Sequence, residues 1–144
     1  RVWDQISRDV GRMGKTNIQS DAYKFRTPSL RNVALTAPYG HNGAMPTLQS
    51  MIQHHANPTF SAKMWTPDMA MLPDVQWLSA ADFLIQEDQA EMSRQSAAVT
   101  SRSISLSPQE INALEEFLNA LTGETARVRP MGAPQNVPSG IPVD

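Results

Sequence analysis

Three histidines carry the most distinctive chemistry in this chain of 144 residues, and they lie close together at positions 41, 54 and 55. An imidazole can act as a general base, carry a proton or bind a metal ion. A zinc site needs three or four converging ligands, whereas His54 and His55 would project about 100° apart on a helix. Structural roles therefore stay open: a helix-terminal hydrogen bond for His55 and a turn hydrogen bond for His41.

The composition limits the classes of function. The chain contains no cysteine, which excludes disulfides, a thiolate zinc site, a cysteine nucleophile and a CxxCH haem-attachment motif within these residues. A formal net charge of −2 argues against a nucleic-acid scaffold. Hydrophobic residues make up 40% of the chain. Because no apolar run approaches ~18 residues, the sequence predicts one globular domain without a membrane span.

A predicted helix positions His54 and His55. Thr47 follows a proline and is a good N-cap residue. The next apolar residues recur at the i, i+3, i+4 and i+7 spacing of one helix face, namely Leu48, Met51, Ile52 and His55. The dipeptide Asn57-Pro58 is predicted to end this helix.

The clearest predicted helix begins at Ser107, with Pro108 at N1 and Glu110 at N3 in a capping box. Gly123 is a natural residue for the position after its C-cap. Its predicted buried stripe consists of Ile111, Leu114, Leu118 and Leu121. A weaker helical pattern covers 79–98, with Ser79 as candidate N-cap. Since no alternating strands are found, the predicted fold class is all-α with long ordered loops.

The first forty residues are predicted to be mostly loop. Gly11 and Gly14 should interrupt any helix there, and His41-Asn42-Gly43 is a turn signal. The run Gly14-Lys15-Thr16 is not a phosphate loop, because Asp9 stands where that motif needs its first glycine.

One block of this loop region resembles a known family. The residues from Phe25 to Gly43 read FRTPSLRNVALTAPYGHNG, and Thr47-Leu48 follow shortly after. This block closely resembles the second-haem domain of bacterial di-haem cytochrome c peroxidases and their MauG-like relatives. Asp9-x-Gly11-Arg12 and the helix over 106–123 also match the family. The resemblance covers 9–56 and 104–123, so 57–103 is predicted to be an insertion.

Family members have two c-type cytochrome domains, each with a CxxCH-anchored haem, and a calcium ion near the domain interface. One haem meets peroxide, and the haem of the C-terminal domain relays electrons. The chain is similar to the part of that C-terminal domain that follows its CxxCH. The resemblance thus implies an all-α c-type cytochrome-like domain over 1–123, incomplete without an upstream segment, and a proline-rich tail over 124–144.

The resemblance places the distal axial ligand of the electron-relaying haem iron on His55, where peroxidases have Met and MauG has Tyr. His54 is the alternative ligand. A second haem with two histidine ligands should have a lower potential than a His/Met haem, because thioether ligation raises the potential.

The resemblance also implies a calcium site and contacts to haem. The backbone carbonyls of Thr36 and Pro38 match calcium ligands, and carbonyl oxygens suit this hard cation. His41 and Arg26 match positions near the haem propionates and the domain contact, where a guanidinium can pair with a propionate. Asn42 stands where the family often has Asp, which puts a His–carboxylate pairing beside His41 in doubt.

The function that these matches imply is that of part of a periplasmic di-haem cytochrome c peroxidase or MauG-like oxidoreductase. The periplasmic location follows from the resemblance alone. No catalytic residue is expected within this segment. The expected partners are an upstream segment or chain with CxxCH haem sites, and a small redox protein as electron donor or protein substrate. The alternatives are a non-catalytic electron-transfer or binding module with the cytochrome fold, and a haem-free helical interaction domain.

Overall fold

The computed structural model describes residues 8–71, 75–77, 82–127 and 139. Within these residues the chain is helical, with two isolated β-bridges and no strand, which confirms the all-α fold class. None of the helices found there is both long and apolar enough to cross a membrane. The α-helices are α1 Met13–Thr16, α2 Leu48–Ala56, α3 Pro58–Met64, α4 Leu84–Glu87, α5 Gln89–Ala97, α6 Pro108–Ala120 and α7 Glu124–Arg127.

Helix α2 is the centre of the packing and begins where the sequence predicts. The Thr47 side chain accepts a hydrogen bond from the Ser50 backbone N–H, and the Ser50 hydroxyl accepts one from the Thr47 backbone N–H. This reciprocal cap satisfies donors that the first helical turn leaves free. The buried residues of α2, which packs against α6 and α3, are Leu48, Ile52 and Ala56.

Helix α6 confirms the predicted capping box, with Ser107 and Glu110 bonded reciprocally and Pro108 in the first turn. Its predicted C-terminus is wrong at Gly123, because the helix ends with Leu121 as the C-cap. The Asn32 side chain accepts from the Gly123 N–H at 2.9 Å, and the Asn32 N–H donates to the Leu121 carbonyl at 3.1 Å. A distant loop residue thus takes the place of a glycine cap.

The predicted buried stripe of α6 is only partly buried. Leu118 packs against the core cluster, whereas Leu114 is 40% exposed and Phe117 beside the stripe is 56% exposed. An amphipathic helix normally places such side chains against another element. This part of α6 therefore presents apolar surface to the outside of the described chain.

The N-terminal segment folds back on itself around Gly11. Gly11 has φ +59° and forms a parallel bridge with Lys24, and the Arg12 N–H donates to the Lys24 carbonyl at 2.8 Å. The expectation that Gly14 interrupts helical structure is wrong, since Gly14 lies inside α1. A single helical turn tolerates a glycine because few intrahelical bonds depend on it.

The described part of the region predicted to be an insertion, 57–103, contains three α-helices and a 3₁₀ helix, Pro67–Met69. The two ends of this region meet, because the Ile104 N–H donates to the Ala56 carbonyl at 2.8 Å. The helix predicted over 79–98 is two helices, α4 and α5, and the side chain of Asp88 between them caps α5. The predicted cap Ser79 lies outside the described residues. Most of the predicted tail, including its four prolines, also lies outside them.

Candidate functional site

His41 lies in a tight loop that backbone geometry closes. Tyr39 and Met45 exchange backbone hydrogen bonds across it, at 2.7 and 3.0 Å. Gly43 has a φ of +70°, as suits the turn predicted at His41-Asn42-Gly43. The Phe25 ring lies against the His41 ring, with centroids 3.9 Å apart. Two segments of the loop region that precedes α2 thus meet at this imidazole.

A carboxylate completes the surroundings of His41. The Asp9 side chain pairs with the His41 Nε2 atom, and the other Asp9 oxygen accepts from the Gly11 N–H at 2.9 Å. The Gly11 hydrogen bond, followed by the His41 contact, lowers the pKa of Asp9 below its ordinary value. The substitution at Asn42 therefore does not abolish carboxylate pairing, because Asp9 supplies the carboxylate while Asn42 caps the Ala44 N–H.

His41 and Arg26 line the same open hollow, of about 880 Å³. Four cationic side chains and one carboxylate surround it, so that its charge is opposite to the net charge of the chain. Arg12 is held by Asp21 at 3.2 Å. A hollow lined mainly by positive charges attracts anions such as carboxylates. The lining residues are Asp9, Gly11, Arg12, Lys15, Lys24, Phe25, Arg26 and His41.

His54 and His55 lie at the C-terminal end of α2, with ring centroids 6.0 Å apart and ring planes inclined at 66°. His54 is half-buried, and its Nδ1 lies 3.1 Å from the Ser61 hydroxyl of α3. Burial, together with the nearby His55, lowers the pKa of His54. His55 is exposed at the edge of the buried face, and hydrogen-bonds to none of the residues that the structure describes.

Thr36 and Pro38 lie on the exposed turn after a short 3₁₀ helix, Val33–Leu35. The Thr36 hydroxyl donates to the Val33 carbonyl at 2.9 Å. Neither the Thr36 nor the Pro38 carbonyl accepts a hydrogen bond from a described residue. No cluster of three or more acidic, histidine or cysteine side chains occurs in the described ranges. The two carbonyls are therefore free to bind a hard cation together with oxygen ligands from elsewhere.

One functional candidate has no signal in the sequence. Glu91 of α5 is fully buried, at 0% exposure. Its oxygens accept from the Tyr23 hydroxyl at 2.8 Å, the Arg94 Nε at 2.9 Å and the Arg8 Nη1 at 3.3 Å. Burial alone would raise the pKa of Glu91, but the hydrogen bonds from Tyr23, Arg94, Arg8 and Gln95 outweigh it and lower the pKa to about 2. The carboxylate is therefore charged at neutral pH.

An all-α domain with long ordered loops and histidines at a helix end fits the cytochrome c-like class of domains. Comparison with known proteins points to one family within it. Cytochrome c peroxidase Ccp of Escherichia coli (strain K12) is 49% identical over 45 residues, 31% of this chain and 10% of that protein. Cytochrome c551 peroxidase of Pseudomonas aeruginosa is 45% identical over 62 residues, 43% of this chain and 18% of that protein.

The methylamine utilization protein MauG of Methylophilus methylotrophus is 32% identical over 65 residues, 44% of this chain and 19% of that protein. The chain thus matches less than a fifth of each of these relatives. Together the matches support membership of the bacterial cytochrome c peroxidase and MauG family. No model of a known protein family matches the chain, and no solved structure matches it.

Proposed function

We propose that this chain is part of a periplasmic di-haem peroxidase or MauG-like oxidase, and that it supplies the distal ligand and part of the pocket of the electron-relaying haem. The similarity to named cytochrome c peroxidases and to MauG supports an oxidoreductase of this general kind. The periplasm is the compartment that fits covalently bound c-type haem.

The observation that best supports the proposal is the environment of the His55 side chain. Its imidazole is exposed at the edge of the buried face of α2, and makes no hydrogen bond to a described residue. His54, by contrast, is held by Ser61. A neutral imidazole with a free nitrogen is a good axial ligand. His55 therefore fits the haem iron better than its neighbour does.

When bound, the haem supplies one-electron redox chemistry, and its axial ligands help to set its potential. This chain would hold the iron through His55 and keep that imidazole on a capped helix packed against α6. Arg26 would pair with a haem propionate at the basic hollow, with His41 nearby. The carbonyls of Thr36 and Pro38 would bind calcium, with the remaining oxygens from an upstream segment and water.

The exposed apolar surface supports an upstream partner segment. Leu35 is 50% exposed and Phe117 is 56% exposed. Burying apolar surface against a partner is favourable by roughly 25 cal/mol of free energy per Å². A segment or chain that carries the CxxCH sites and packs on this surface would complete the domain, and a small redox protein is the proposed donor or protein substrate.

The decisive experiment is the electronic spectrum of the haem-bound protein that contains this chain, with His55→Ala compared with His54→Ala. We expect His55→Ala to convert the low-spin signal of the electron-relaying haem to high-spin, while His54→Ala keeps it low-spin. An unchanged spectrum in His55→Ala would show that His55 is not the ligand. Peroxide turnover by the same protein separates the peroxidase from a non-catalytic electron-transfer module, which would show none.

A further inference from the structure

The structure assigns Glu91 a positioning role: by holding two neighbouring segments, it fixes Asp9 and Phe25 against His41, so that the region 57–103 sets the geometry of the His41 site. The inference depends on the described contacts and not on the proposed haem chemistry. Glu91 contacts none of the residues that line the basic hollow. It acts on them through Arg8 and Tyr23.

The first route from Glu91 runs through Arg8. The Arg8 guanidinium donates to the Glu91 Oε2 atom at 3.3 Å, across 83 positions of sequence. The next residue along the chain, Asp9, pairs with His41. Because Arg8 directly precedes Asp9, fixing Arg8 restricts the position of the Asp9 backbone, and the Gly11 N–H then orients the Asp9 carboxylate.

The second route runs through Tyr23. The Tyr23 hydroxyl donates to the Glu91 Oε1 atom at 2.8 Å, and Phe25, two residues further, stacks on the His41 ring. The two routes are also joined to each other, since the Tyr23 N–H donates to the Val10 carbonyl at 3.0 Å. One buried carboxylate thus anchors both groups that hold the imidazole.

The energetics favour Glu91 as the anchor. A buried carboxylate with charge-assisted hydrogen bonds has a strongly preferred geometry, because moving any donor away leaves a buried charge unsatisfied. Asp9 and His41 are both exposed and form a pair of the kind that contributes little by itself. Their arrangement therefore depends on the Gly11 N–H, which holds Asp9, and on the buried Glu91 contacts behind it.

The test is the rate at which diethylpyrocarbonate modifies His41 in the haem-bound protein, measured by peptide mass spectrometry with His54 as internal reference. Arg8→Ala and Glu91→Gln should raise the rate at His41 by roughly three- to tenfold, as expected when a charge-assisted hydrogen bond is lost. Asp9→Asn is the positive control. Arg8→Ala and Glu91→Gln change the local charge in opposite directions, so a rise of the His41 rate in both variants identifies loss of positioning.

Gln95→Ala is the matched control, because it removes a Glu91 partner on α5 itself and leaves both routes to His41 in place. It should destabilise the protein without changing the His41 rate. The proposal is overturned if Arg8→Ala and Glu91→Gln stay within about twofold of the parent, the size of ordinary non-additivity. It is equally overturned if Gln95→Ala raises the rate as much. Should Glu91→Gln fail to fold, Arg8→Ala decides, since that side chain is 44% exposed.

Discussion

The imidazole of His41 pairs with the carboxylate of Asp9, which lies 32 positions earlier in the chain. The same carboxylate accepts a hydrogen bond from the Gly11 N–H at 2.9 Å, and the Phe25 ring lies against the imidazole ring. The pair thus joins the Asp9-x-Gly11-Arg12 motif to the proline-rich loop. These two stretches are separate in sequence, and residues from both line the same basic hollow.

We predict that Gly11→Ala destabilises the protein by at least ~1–2 kcal/mol, the cost of a left-handed conformation for a residue with a side chain. Gly11 has φ +59°, and a Cβ atom there would lie 2.6 Å from the Lys24 carbonyl oxygen. Urea unfolding followed by circular dichroism measures the loss. Gly14→Ala is the control, since its Cβ would meet nothing closer than Val10 at 3.8 Å and alanine favours the helix. Equal effects of the two substitutions would contradict the assignment of Gly11.

The sequence is most informative about where helices α2 and α6 begin. Thr47 and Ser107 begin α2 and α6 as predicted, because capping depends on residues a few positions apart. The sequence pattern does not reveal helix α3, because Asn57-Pro58 predicts only the end of α2. Asn57 in fact ends α2 and caps α3. The apolar residues of α3 also give no buried stripe, since Phe60 is 60% exposed.

The candidate site was less predictable, since its contacts are long-range. The family resemblance links both Arg26 and His41 to the haem-propionate region, and both residues line one hollow. No local pattern indicates that Asp9 would reach His41. A glutamate on a weakly amphipathic helix such as α5 ordinarily faces solvent, so that the burial of Glu91 had no signal in the sequence. The ligand roles of His55, Thr36 and Pro38 stay predictions.

We predict that Glu91→Ala lowers the free energy of unfolding by about 1–3 kcal/mol, because it removes the shared acceptor of several hydrogen bonds. Chemical denaturation at neutral pH measures this difference. Glu87→Ala on α4, an exposed position, should stay within ±0.5 kcal/mol and serves as the control. A comparable loss in both variants would mean that burial of the Glu91 carboxylate is not what stabilises this region.

We predict that the contribution of Glu91 to the stability of the folded protein decreases as the pH is lowered. Its pKa falls from an ordinary 4.5 to about 2 in the folded protein. The folded state thus binds the proton less well than the unfolded state, and the stabilisation is present above pH 4.5. It is lost as the pH falls from there toward about 2. Urea midpoints between these two pH values should fall more steeply for the parent than for Glu91→Gln, and parallel curves would refute the assignment.

We predict that Ser107→Ala costs about 1 kcal/mol of stability, as is typical for loss of an N-cap. The Ser107 hydroxyl accepts from the Glu110 N–H and is bonded to the Glu110 carboxylate at 2.8 Å. Ser105→Ala, at an exposed position two residues earlier, should have little effect. Thermal unfolding of both variants gives the comparison, and a negligible shift for Ser107→Ala would show that packing alone maintains the start of α6.

Asn32 provides the sharpest test of how the proline-rich loop is attached to α6. Its side chain accepts from the Gly123 N–H at 2.9 Å, its own N–H donates to the Leu121 carbonyl, and its φ is +59°. Asn32→Gly keeps the backbone bond and suits the left-handed conformation, so it should cost only the lost side-chain hydrogen bond, about 1 kcal/mol. Asn32→Ala loses the same bond and adds conformational strain of about 1–2 kcal/mol. The unfolding free energies should therefore rank the parent first, Asn32→Gly second and Asn32→Ala last. If the alanine variant is as stable as the glycine variant, the left-handed conformation at Asn32 does not hold the loop to the helix end.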